Sequence, residues 1–166
     1  MKNNQVTLIY LDTNVYSRPF DDQTRTDVQE EANAFLEIIA EVEAGNLTLL
    51  TSDILEFEVQ NIISEEKRAN VKDYLALSNK QIASSDELVN LGKRIQNECH
   101  IRARDALHIA SAILGLARYF LSCDKKVTEM RQTRCYRRLA KPYRTGYFSV
   151  MNPILFIEKM KKGEIE

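Results

Sequence analysis

Apolar residues along this chain follow two patterns in alternation. Short continuous runs give way to longer stretches in which apolar residues recur every third or fourth position. The first run covers residues 7–11 (Thr-Leu-Ile-Tyr-Leu) and stops at Asp12, as a buried strand does. Residues 16–22, with Pro19 among them, read as a loop. Over residues 27–44, Ala34, Phe35, Ile38, Ile39 and Val42 fall at helical spacing with Glu30, Glu31, Glu37, Glu41 and Glu43 among them, and Gly45 supplies the stop. Residues 47–51 predict a second strand. Ser52 can then cap a helix opening at Asp53, whose apolar face is Ile54, Leu55, Val59, Ile62 and Ile63.

Farther along, residues 65–70 read as a charged turn, 71–78 as a short helix and 81–83 as a third strand or a turn. Ser84 and Glu87 have capping-box spacing and start a helix that carries Leu88, Leu91 and Ile95 inward and ends near Glu98. Residues 102–116 are apolar almost all round after Asp105, which predicts a helix buried between a sheet and its neighbours. Residues 119–122 read as a strand leading to Asp124; a basic, helical stretch follows, and 147–151 form a last strand. Asn152-Pro153 places an N-cap before a proline at the first helical position, opening a terminal helix through Lys159. Strands alternating with helices argue for an α/β fold with a parallel sheet covered on both faces.

Composition narrows this picture. At 166 residues, 44% hydrophobic and 28% charged, the chain reads as one domain over 1–166 with a real core. No apolar run of about eighteen residues is present, so no membrane span is expected, and the N-terminus lacks the apolar core of a signal peptide. Cys99, Cys123 and Cys135 form no C-x-x-C pair and read as reduced thiols in a cytoplasm; no second pair at finger spacing supports zinc. The net charge of −1 hides an asymmetry. Between Asp21 and Glu66 many acids face a single base, Arg25, whereas between Lys125 and Arg144 many bases face a single acid, Glu129. Either these are solvated helical faces of opposite sign, or the basic segment holds phosphates.

Four acids stand at comparable places. Asp12 and Asp124 follow apolar strands, Glu58 lies in the helix after the second strand, and Asp105 opens the buried helix. Each alone is cheap, because a helix start favours negative charge. Together in apolar surroundings they repel unless a cation sits among them. Hard divalent cations take oxygen ligands, and two of them can activate water against a phosphodiester. No P-loop and no serine–histidine–carboxylate order competes with that chemistry.

Leu11-Asp12-Thr13-Asn14, Ser52 with Glu58 six residues on, Asp105-Ala106-Leu107-His108-Ile109-Ala110 and Ser122-Cys123-Asp124 together resemble the motifs of the PIN domain, over residues 8–156. That resemblance implies a three-layer α/β/α sandwich with a central, mostly parallel sheet. It also implies a metal-dependent ribonuclease, the single-domain members of which include VapC-like toxins of toxin–antitoxin pairs. Residue by residue, it implies ligation of Mg²⁺ or Mn²⁺ by Asp12, Asp105 and Asp124, with Glu58 completing the cluster directly or through water. Asn14 and Ser122 match positions that carry a small polar group behind the ligands. A homodimer and a cognate antitoxin are further implications. The Asp-x-Asp-Phe often found at the fourth motif is Asp124-Lys125-Lys126-Val127 here, so a fifth acid is missing.

Several neighbours invite competing readings. Glu56 and Glu58 face different ways on a helix, and the distance from Ser52 favours Glu58. His108, one turn after Asp105, is either a general base or a packed side chain satisfied by a hydrogen bond, and the second is the commoner case. Lys125, Lys126, Arg131 and Arg134 would guide RNA, with Tyr136, Tyr143 and Tyr147 stacking on bases or packing in the core. Arg18 could contact a phosphate or pair with Asp21 or Asp22. The resulting expectation is an RNA-hydrolysing enzyme. A non-catalytic RNA- or protein-binding module is the alternative, and a receiver-type domain fares worse because the acids stand singly.

Overall fold

The computed structural model describes residues 5–144 and 146–165. Strands β1 (Thr7–Leu11), β2 (Leu47–Ser52), β3 (Lys80–Ile82), β4 (Tyr119–Leu121) and β5 (Ser149–Met151) make one sheet in the order β3-β2-β1-β4-β5. Every neighbouring pair is parallel. The chain builds outward from β1 to β3, then returns to add β4 and β5 on the other side. The order therefore reverses between β1 and β4, and their carboxyl ends flank the crevice in which open α/β sheets bind ligands. Register places Leu11 beside Leu121, so Asp12 and Ser122 emerge side by side.

Nine helices connect the strands: α1 (Thr13–Ser17), α2 (Thr26–Glu43), α3 (Asp53–Gln60), α4 (Glu65–Leu75), α5 (Asp86–Cys99), α6 (Ala103–Leu114), α7 (Lys125–Thr128), α8 (Met130–Ala140) and α9 (Pro153–Lys161), counted among the described residues. They flank the sheet in an α/β/α arrangement, with α2 against α9 and α6 against α5, β2 and β4. Helix α6 is buried from His108 through Ile113, as an apolar circumference requires. None of the described helices is long and apolar enough to cross a membrane.

Local chemistry explains where this differs from the periodicity. Within the loop expected over 16–22, residues 16–20 are helical: the Asp12 carboxylate accepts from Thr13 N and starts α1, and Pro19 sits in the first turn of a short 3-10 helix, Arg18–Phe20, where its missing N–H costs nothing. Residues 65–70 belong to α4, capped by Ser64 and carrying Glu65 and Glu66 at its positive end; with Val71 its one fully buried residue, it shows little periodicity. Ser85, not Ser84, caps α5. Helix α3 ends at Gln60, which leaves Ile63 exposed instead of on the inward face. Arg18 does not bind Asp22. It pairs with Asp21 at 3.0 Å and with the buried Glu31 at 2.5 Å, and Glu31 also accepts from Asn152 Nδ2 at 3.1 Å.

The cysteines also depart from expectation. Cys99, at the end of α5, is disulfide-bonded to Cys135 in α8, with a Cα–Cα distance of 5.7 Å; only Cys123 is a free thiol, and it is buried. The pairing arises because α5 packs along α8, a contact between segments 36 residues apart.

Gly115, just after α6, sits against β2. A Cβ there would overlap the Leu50 side chain and approach Ser111 O to 2.9 Å. The Gly115→Ala protein is therefore expected to lose about 1–3 kcal/mol to overpacking. Urea unfolding checks this, and an unchanged midpoint would show that Leu50 has room to move.

Candidate metal centre

The crevice between β1 and β4 begins at Asp12. Its amide donates to Leu121 O at 2.9 Å, which locks the strand tip to β4. Its side chain, almost wholly buried, accepts at Oδ1 from Thr13 N (2.8 Å) and at Oδ2 from Ser122 Oγ (2.9 Å) and Asn14 Nδ2 (3.2 Å). Asn14 in turn donates to Ser122 Oγ and accepts from Cys123 N. Asn14 and Ser122 thus fix the Asp12 carboxylate from behind, and they also stitch β1 to β4.

Glu58 arrives from α3. That helix starts where it does because Ser52 Oγ caps Leu55 N at 3.1 Å, and 3.6-residue periodicity turns Glu58 toward β1 while Glu56 faces solvent. Glu58 Oε2 accepts a short hydrogen bond from Thr13 Oγ1. Its Oε1 lies 3.1 Å from His108 Nε2 and 3.3 Å from Arg104 Nε. Neither approach is aligned as a hydrogen bond, and both Glu58 Oε1 and His108 Nε2 are buried without a hydrogen-bond partner.

His108 reaches the same point from α6. Its Nε2 also stands 3.8 Å from Asp12 Oδ1. On the other side of the ring, Nδ1 meets Tyr10 OH at 2.6 Å, and that hydroxyl meets Ser52 Oγ at 2.7 Å. Asp12, Glu58 and His108 therefore present ligand atoms all within 4.8 Å of one another.

Burial works against every charge in this trio, and its members partly offset that for one another. Burial pushes the Asp12 carboxyl up, against the pull of His108 and Ser122. Burial likewise works against the Glu58 charge, yet His108, Thr13 and Arg104 outweigh it and hold that carboxyl below its usual range. For His108, burial disfavours the cation, but Glu58 and Asp12 draw its pKa upward. A divalent cation fits such a site: two carboxylates and an imidazole converge, and two of their buried polar atoms lack partners.

Asp105 and Asp124 stand apart from that trio. Arg102 spans them, with Nε 3.0 Å from Asp105 Oδ2 and Nη2 3.3 Å from Asp124 Oδ2. They line an adjoining cleft of about 470 Å³, together with Arg102, Lys126 and Gln132. Asp105 still raises the Asp12 carboxyl through its charge, so the two groups share one electrostatic field.

The remaining sequence candidates are distributed unevenly. Lys126 lines the cleft, and Lys125, Lys126 and Arg131 are exposed, without ion pairs among the described residues. Arg134 lies on α8 with its guanidinium 3.6 Å from Met130 Sδ. Tyr136 is fully buried and donates to Val127 O, which removes it from base stacking. Tyr147 precedes β5 at the sheet's opposite end, under the Arg137 guanidinium. Periodicity passed over Arg102, Arg104 and the inward aim of His108. The one available signal was helical spacing, which puts His108 three residues after Asp105 on a neighbouring face.

Comparison with known proteins adds three findings. A family model described as PIN domain matches residues 9–132. No curated protein matches the chain. Among solved structures, a chain from the crystal structure of VapBC2 from Rickettsia felis, bound to a DNA fragment from their promoter, superposes with a TM-score of 0.53 at 15% identity, covering 87% of this chain and 98% of that one. At that identity the likeness is one of fold.

Proposed function

Since this chain belongs to the PIN domain family, we propose that it is a divalent-metal-dependent ribonuclease that hydrolyses RNA phosphodiesters. The observation that carries the reading is the buried convergence of Asp12, Glu58 and His108, with two polar atoms left unsatisfied, at the β1/β4 crevice. Asp12 and Glu58 would hold Mg²⁺ or Mn²⁺, and Asp105 and Asp124 would join them once Arg102 turns to the substrate. A bound ion would supply charge neutralisation at phosphate and activation of water.

The chain's own groups set the geometry. Asn14 and Ser122 restrict Asp12 to one orientation, and Thr13 does the same for Glu58. Arg102 and Lys126 put positive charge along the cleft and would bind the phosphate backbone, with Lys125, Arg131 and Arg134 extending that surface over α7 and α8. The likeness to a chain of the VapBC2 complex and the VapC-like motifs support a cognate antitoxin as partner, and the family resemblance alone suggests a homodimer.

Thermal unfolding with and without Mn²⁺ tests the metal directly. Ligand that binds only the folded state at about 100 times its Kd adds about 2.7 kcal/mol, so Tm is expected to rise by about 5–10 °C. Single-stranded and structured RNA should be cleaved under the same conditions and spared in EDTA. A Tm that ignores Mn²⁺, together with intact RNA, would leave the fold as a binding module.

A further inference from the structure

His108 is buried more completely than a surface base and aimed more sharply than a packing residue. It is 1% exposed, its Nε2 has no hydrogen-bond partner, and that atom points between Glu58 Oε1 (3.1 Å) and Asp12 Oδ1 (3.8 Å). The opposite nitrogen is fully engaged. Ser52 Oγ already accepts from Leu55 N, and Tyr10 OH can donate to the same oxygen while accepting Nδ1–H from His108. In that direction the imidazole proton sits on Nδ1 and a lone pair on Nε2. The reverse direction would put an N–H on Nε2, where Glu58 is close but not aligned to receive it. A lone pair directed at two carboxylates is repulsive unless a cation lies between them.

The spacing matches that demand. Ligands bonded at about 2.1 Å and at right angles stand about 3 Å apart, which is the separation of Nε2 and Glu58 Oε1. The outer arrangement is that of a metal-bound histidine, whose second ring nitrogen is held by a hydrogen bond that sets tautomer and orientation.

Resting on the metal-dependent reading above, we propose that His108 Nε2 is a nitrogen ligand of the centre beside Asp12 and Glu58, and that this ligand makes the centre prefer Mn²⁺ and later transition ions to Mg²⁺. Magnesium takes oxygen ligands, whereas imidazole adds affinity for transition ions. Tyr10 and Ser52 act as positioning residues through the ring.

Pulsed electron paramagnetic resonance of the Mn²⁺-loaded full chain reads the ligand itself. Modulation from a directly bonded ¹⁴N nucleus is expected in the parent, and it should vanish in His108→Gln. Calorimetry should show Mn²⁺ binding weakened at least tenfold in His108→Gln, with Mg²⁺ binding changed less than about threefold. Tyr10→Phe should keep the nitrogen signal and lose about tenfold in Mn²⁺ affinity, as removal of an outer hydrogen bond does. If the parent binds Mn²⁺ with no nitrogen modulation, the histidine ligand is overturned while the metal-dependent reading stands. If Mn²⁺ does not bind the parent at all, both fall. The parent measurement decides the point even if the buried substitution misfolds.

Discussion

Asp12→Asn is expected to lower metal-dependent RNA cleavage by at least about 10²-fold, which is about 2.7 kcal/mol of transition-state stabilisation, while leaving fold stability within about 1 kcal/mol of the parent. The two effects separate because Asp12 serves two purposes. Asparagine has the same shape and keeps an oxygen for Thr13 N, so α1 retains its cap. It removes a buried negative charge that sits in the fields of Glu58 and Asp105. A carboxyl whose folded pKa is raised by burial destabilises the fold once pH exceeds its unfolded value, so at neutral pH the amide relieves that cost. Against this, Ser122 Oγ and Asn14 Nδ2 both direct donors at Oδ2, and an amide NH₂ there costs about 1 kcal/mol in a lost hydrogen bond. RNA cleavage with Mn²⁺ and thermal unfolding in EDTA check the pair of effects. Parent-level cleavage would remove Asp12 from the metal site, and a collapse of Tm would assign it a structural role instead.

Reduction of Cys99–Cys135 is expected to destabilise the protein by about 3–4 kcal/mol, the loop-closure entropy for a separation of 36 residues. That corresponds to a Tm lower by about 6–16 °C. The consequence should be local as well as global. Cys99 ends α5, His100 follows in the left-handed conformation at φ 57°, and Arg102 then reaches Asp105 and Asp124. Freed from α8, residues 99–105 should exchange amide hydrogens faster than the strands do. Cys99→Ser provides the irreversible counterpart of reduction. An unchanged Tm on complete thiol reduction would mean that packing of α5 on α8 carries the full stability without the bond.

Much of the frame was readable because its signals are local. Apolar runs that end in a carboxylate located β1, and the strand leading to Asp124 followed from the same pattern. Ser52 before Asp53, and Asn152 before Pro153, marked helix starts, because a cap depends on a side chain and on amides two or three residues away. The preference for Glu58 over Glu56 rested on distance from that same cap, and the structure turns Glu58 inward and Glu56 to solvent. The first half of α4 reads as a turn, and only 71–78 as a helix, because its stability derives from Ser64, charge placement and one buried valine, which leave almost no periodicity. Arg18 was ambiguous for a related reason: its partner Glu31 is thirteen positions away, on a helix whose acids otherwise face water.

The site divides along the same line. The sequence by itself determined which carboxylates stand at strand tips and helix starts, since one strand period or one helical turn decides that. Only the tertiary structure decided how they group: Asp12 and Glu58 with a histidine, and Asp105 and Asp124 across an arginine. It also decided that Cys99 meets Cys135 and that Tyr136 is core. Most of these groupings join separate elements, and their distances are set by the crossovers of a parallel sheet and the packing of α5, α6 and α8. Neighbouring residues carry no record of that geometry.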